Sequence, residues 1–152
     1  MTAPLSAASV DEMRALLARV EGASGGDAKL DAALKLVAAA VAIAGGMSAH
    51  ETREAFGGLY DTAPPYTSSI DAALALKDRV LPGWRACVDT GDPSRAPSTV
   101  RLPFAHLEPN LDNDDGWAKA GPTRGQAATP PLAIIAAVLH ALIATQEHAG
   151  ER

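Results

Sequence analysis

The residues of this chain suited to acid–base, nucleophilic or metal chemistry are four histidines, a single cysteine and one tight acidic run. His50, His106, His140 and His148 include no pair four residues apart, the spacing that sets two imidazoles on one helical face around a metal. Asp112-Asn113-Asp114-Asp115-Gly116 invites calcium. With Gly116 in the sixth loop position, however, the first and twelfth ligand positions fall on Leu111 and Pro122, which offer no side-chain oxygen. The run therefore reads as a solvated hairpin turn. Cys87 and His106 lie in two segments with strand character, and on adjacent strands they would make a nucleophile and a base. No third orienting group or oxyanion donor is visible beside them, so Cys87 is expected as a core thiol. His106 and His140 read as packed or hydrogen-bonded side chains rather than as ligands or bases. Ser68 and Ser69 sit outside a Gly-x-Ser-x-Gly elbow, and Gly25-Gly26 and Gly45-Gly46 lead into no phosphate loop. No catalytic residue, metal site or cofactor is expected.

Tyr66, Trp84 and Trp117 are scarce large side chains at or beside the strand region. Two readings stand for them. Either the tryptophans are core anchors with their N–H groups satisfied, or one sheet face carries an aromatic binding patch with Arg85, Arg101 and His106 around it.

The elements that must position these residues follow from composition and pattern. Aromatics make up only 4% of 152 residues that are 47% hydrophobic, so the core has to be built from Ala, Leu, Val and Ile, and length favours one domain. A net charge of −5 lacks the basic footprint of a nucleic-acid binder. A single cysteine excludes an intrachain disulfide and fits a reducing cytoplasm. The N-terminus shows no basic, apolar signal pattern, and the apolar run after Pro130-Pro131 is broken by His140 short of the roughly 20 residues of a span. It reads as a buried core helix, with no membrane partner expected.

Ser9 and Glu12 have capping-box spacing, which predicts a helix over 10–21 with Leu16, Leu17 and Val20 inward. A second helix is predicted over 28–44, carrying Leu30, Leu34, Val37, Val41 and Ala44 at helical spacing and a thin polar face around Asp31 and Lys35. Ser48 and Glu51 repeat the capping box for a short helix ending near Gly57. After a connector over 58–67, a helix begins near Ser69 and ends by Arg79, and Pro82-Gly83 breaks the period. Segments 84–89, 99–107 and 117–120 read as strands of an antiparallel meander, Pro103 implying an edge or bulge in the second. Thr129-Pro130 opens the last helix. Its apolar face of Leu132, Ile135, Val138, Leu139 and Leu142, opposite Ala133, Ala137, Ala141 and Ala144, places it between the sheet and the other helices. Leu30-Asp31-Ala32-Ala33-Leu34 recurs as Ile70-Asp71-Ala72-Ala73-Leu74; the flanks differ, and the match is read as a coincidence of Ala-rich helices.

Pro-Pro-Tyr-Thr-Ser-Ser-Ile-Asp-Ala-Ala-Leu at 64–74, Leu-Pro-Gly-Trp at 81–84, Ala-His-Leu at 105–107 and Ala-Thr-Pro-Pro-Leu-Ala at 128–133, in that order, resemble the phage ABA sandwich domain family over about residues 30–144. The resemblance implies a small phage or prophage protein with a sheet layered between helices, and it carries over no catalytic residues. The order helix, three strands, helix from Ser69 to Thr145 is also that of a double-stranded-RNA-binding domain, but Thr129-Pro130-Pro131-Leu132 lacks the basic residues that would grip phosphates.

The expectation is thus a single α+β domain, 1–152, with an N-terminal helical part (1–58) and a helix-strand-strand-strand-helix part (59–152) built on a three-stranded antiparallel sheet. Its expected role is a non-enzymatic phage- or prophage-type accessory protein in a bacterial cytoplasm. It would bind a protein partner through Tyr66, Trp84, Arg85, Arg101, His106 and Trp117, as an inhibitor or assembly factor for a larger machine. The competing expectation is a small-molecule-binding or hydrolytic enzyme with a pocket between the sheet and the last helix.

Overall fold

The computed structural model describes residues 9–58, 61–91, 102–109 and 121–150. Helices α1 (Val10–Gly22), α2 (Ala28–Ala44), α3 (Ala49–Phe56) and α4 (Ile70–Val80) precede strands β1 (Arg85–Asp89), β2 (Phe104–Glu108) and β3 (Thr123–Gln126), and helix α5 (Pro130–Gly150) ends the order. The strands form an antiparallel sheet in the order β1-β2-β3. Both capping boxes are formed: Ser9 with Glu12 starts α1 and Ser48 with Glu51 starts α3. Each satisfies two amide donors that a helix start otherwise leaves open. Asp27 caps α2 and Ser69 caps α4 in the same sense.

The last helix occupies the centre, as its lack of charge requires. From Pro131 to Leu139 every residue of α5 is buried, with the sheet against one side and α1 and α4 against the other. Its span 130–148 is long and apolar enough to cross a membrane by length and composition, which corrects the expectation that it is too short. Its burial among protein side chains accounts for that apolarity.

The alanine side was expected to meet another helix, but at Ala133 and Ala137 it meets β3. A Cβ on Gly125 would lie 2.2 Å from the Ala137 nitrogen and 2.4 Å from the Ala133 oxygen, a backbone-to-backbone approach that only glycine permits. Thr123 adds a hydrogen bond from its hydroxyl to the Ala137 carbonyl, 3.2 Å.

Strand β3 therefore falls at 123–126. The expected third strand at 117–120 and the expected turn at 112–116 lie outside the described residues, as does the start of the expected second strand. Thr-Arg-Gly-Gln lacks the β-branched or aromatic run that marks a strand in sequence.

The segment 64–84 fastens the helices to the sheet. Thr67 is fully buried; its amide and its hydroxyl both donate to Asp31 Oδ1, each at 2.8 Å, while the hydroxyl accepts from the Asp27 amide at 2.8 Å. Gly26 closes against the next residue, where a Cβ would come within 2.8 Å of Ser68 Cβ. Beyond α4, the buried Lys77 ammonium donates to the Trp84 carbonyl at 2.6 Å and pairs with Asp78, pinning the turn that leads into β1. The thin polar face of α2 is thus a buried one. Asp31 holds Thr67, and Lys35 donates to the carbonyls of Gly58 and Asp61 at 2.5 and 2.9 Å. The apolar stripe of α2 runs through Leu30, Leu34, Ala38 and Ala42, leaving Val37 and Val41 partly buried and Ala44 exposed.

Candidate interaction face

Alternation along β2 decides which side chains are presented. Ala105 and Leu107 are fully buried toward α5, so Phe104, His106 and Glu108 point the other way. The register carries this parity to the neighbours: Arg85 lies opposite Glu108, Cys87 opposite His106 and Asp89 opposite Phe104 on β1, with Arg124 opposite His106 and Gln126 opposite Phe104 on β3. Among the described residues no helix packs substantially on this outer face, whereas the family resemblance implied helices on both.

The face is ordered by its own contacts. The Arg124 guanidinium lies 4.1 Å from the centre of the Phe104 ring, a cation–π geometry. His106 Nε2 lies 3.1 Å from Glu108 Oε1, which sets the ring orientation. Cys87 is exposed, correcting the expectation of a core thiol: the pairing with His106 puts it on the outer face. Cys87 is thus the cross-strand neighbour of His106, and Glu108, which the spacing did not reveal, is the group that contacts the imidazole. Among the described residues all three lie on the outer sheet surface, outside both cavities described below.

The expected site residues divide. Arg85 and His106 share the outer face. Tyr66 and Trp84 are core residues, 3% and 4% exposed, so the core-anchor reading holds for Trp84 and neither ring belongs to a surface patch. Burial raises the Tyr66 phenol above its ordinary pKa, against a smaller lowering by Arg79. Arg101 and Trp117 lie outside the described residues. Among the described residues Phe104 is the aromatic of the face, and its alternation with His106 and Glu108 was visible in the sequence. Arg124 was not, because β3 carries no strand signal. Among the described residues no cluster of three or more His, Cys, Asp or Glu is placed to hold a metal ion. His50 pairs instead with Glu54 along α3 at 3.4 Å.

Two cavities open among the helices. One of about 430 Å³ lies between α2 and α3 over Leu36, Ile43 and Phe56; the other, about 730 Å³, lies beside Met47, Glu51, Glu54 and Arg79. Both are lined by helix and connector residues and neither touches the sheet. Compared with family models, with curated proteins and with solved structures, the chain matches none.

Proposed function

We propose that this protein is a non-enzymatic binding protein that docks on another protein through the outer face of its sheet. The observation that carries the reading is the Phe104–Arg124 stack on that face, with His106, Glu108, Cys87 and Arg85 beside it. Aromatic and arginine side chains are the residues that most often dominate protein interfaces, and a stack held within one chain lowers the ordering cost of binding. The face mixes signs, Arg85 and Arg124 against Asp89 and Glu108. That suits the mixed surface of a protein better than a run of phosphates. A phage or prophage setting, and a role as inhibitor or assembly factor, extend the reading on the strength of the motif resemblance at 64–74, 81–84, 105–107 and 128–133.

The test is capture from lysate of the host, followed by mass spectrometry, with three baits: the wild-type chain, the double variant Phe104→Ala/Arg124→Glu, and Leu36→Glu in the α2–α3 groove. A specific protein retained by the wild type and by Leu36→Glu but lost by the face variant supports the reading. Loss with Leu36→Glu alone, or no protein above background in either resting or phage-induced cells, overturns it.

A further inference from the structure

Among the described residues, strand β1 is a sheet edge with an unfinished inner face. Ala86 and Val88 have the parity of the fully buried Leu107 and Ala105 opposite them, yet Ala86 is exposed and Val88 only partly covered. The strand contains no proline, no lysine and no inward charge, the usual devices that keep an edge from pairing.

Backbone direction along the edge follows from one bond. The Ala127 amide donates to the Pro103 carbonyl, so residues 103, 105 and 107 turn their backbone groups toward β3, and 104, 106 and 108 turn theirs toward β1. Arg85, Cys87 and Asp89, opposite Glu108, His106 and Phe104, therefore bond inward to β2. Ala86 and Val88 point their N–H and C=O groups away from β2, toward the side on which no described strand lies.

We propose that β1 pairs with β1 of a second copy, antiparallel and centred on Cys87, joining two sheets into one. Arg-Ala-Cys-Val-Asp is self-complementary about its middle residue in that register. Ala86 and Val88 of each copy exchange backbone hydrogen bonds with Val88 and Ala86 of the other and cover each other on the inner face. On the outer face Arg85 lies opposite Asp89 of the second copy, twice by symmetry. Within its own sheet Asp89 faces Phe104, so the second copy supplies the cation across from it. The two Cys87 residues meet as a non-hydrogen-bonded pair, with Cα atoms about 4.5 Å apart, within the range that a disulfide spans. This pairing uses the sheet edge and does not depend on the partner reading of the outer face.

Sedimentation equilibrium of the full chain over a concentration series tests it, under reducing conditions. The wild type is expected to show a reversible monomer–dimer equilibrium. Arg85→Asp or Asp89→Arg alone weakens the dimer at least about tenfold, because two attractive cross-strand pairs become repulsive. The double reversal Arg85→Asp/Asp89→Arg restores it. A mild thiol oxidant, taking two electrons as two thiols release two protons, then links the wild-type dimer through Cys87, the chain's only cysteine, and links Asp89→Arg more slowly. A monomer at every concentration up to millimolar overturns the proposal. So does a dimer indifferent to both single reversals, or a double reversal that keeps wild-type circular dichroism and stays monomeric.

Discussion

At the clasp between α2 and the 64–69 segment, Asp31 is buried and takes both of Thr67's donors, whereas on the outer sheet face Arg85, Glu108 and Arg124 are exposed. Among the described residues no buried side-chain nitrogen or oxygen lacks a hydrogen bond. A carboxylate in the clasp is therefore part of the fold, because removing it strands the buried Thr67 amide and leaves the hydroxyl only its longer bond to the Asp27 carbonyl, 3.4 Å. The exposed Glu108 on the face contacts only the neighbouring imidazole among the contacts described and stays within reach of water and of a partner. The repeated pentapeptide makes the same contrast within one motif: Asp31 is buried, while Asp71, at the same place in Ile70-Asp71-Ala72-Ala73-Leu74, is exposed in the first turn of α4.

The contrast is broken most severely where the sheet meets α5. Gly125→Val is expected to cost more than about 4 kcal/mol, because its side chain would overlap the α5 backbone; denaturant melts of the soluble fraction measure it. Asp31→Ala is expected to cost about 2–4 kcal/mol, against less than about 0.5 kcal/mol for Asp71→Ala, and paired urea titrations compare them. Lys77→Met, which leaves the Trp84 carbonyl without its donor, is expected to cost about 1–2 kcal/mol.

Tyr66 sharpens the comparison through pH. Its pKa in the folded protein is raised from 10.0 by burial, so its contribution to stability is complete below about 10 and is lost as pH rises through the raised value. Thermal melts at alkaline pH should show that loss in the wild type and not in Tyr66→Phe. A small effect is expected on the face too, where Arg124→Glu should shift stability by less than about 1 kcal/mol while abolishing capture.

Elements whose ends carry local chemistry were legible in the sequence. Ser9, Ser48, Ser69 and Thr129 mark four helix starts by capping, and the uncharged body of α5 announced its central place. Strand β3 was not legible, since Gly125 is selected by the approach of α5 and breaks the strand signal in doing so. The burial of Asp31, Lys35 and Lys77 was hidden for a related reason: their partners lie far along the chain or are backbone carbonyls, which leave no mark on side-chain pattern. On the face, Arg85 and His106 were found from residue type. Phe104 lay in plain alternation with His106 but was passed over for the rarer tryptophans, and the exposure of Cys87 depended on a strand register that composition does not encode.

The most direct measurement of the central claim is backbone amide NMR of the labelled protein titrated with the captured partner. Shifts confined to residues 85–89, 104–108 and 123–126 are what docking on the outer sheet face predicts. Shifts confined to α2 and α3 around Leu36, with the sheet unmoved, would contradict it.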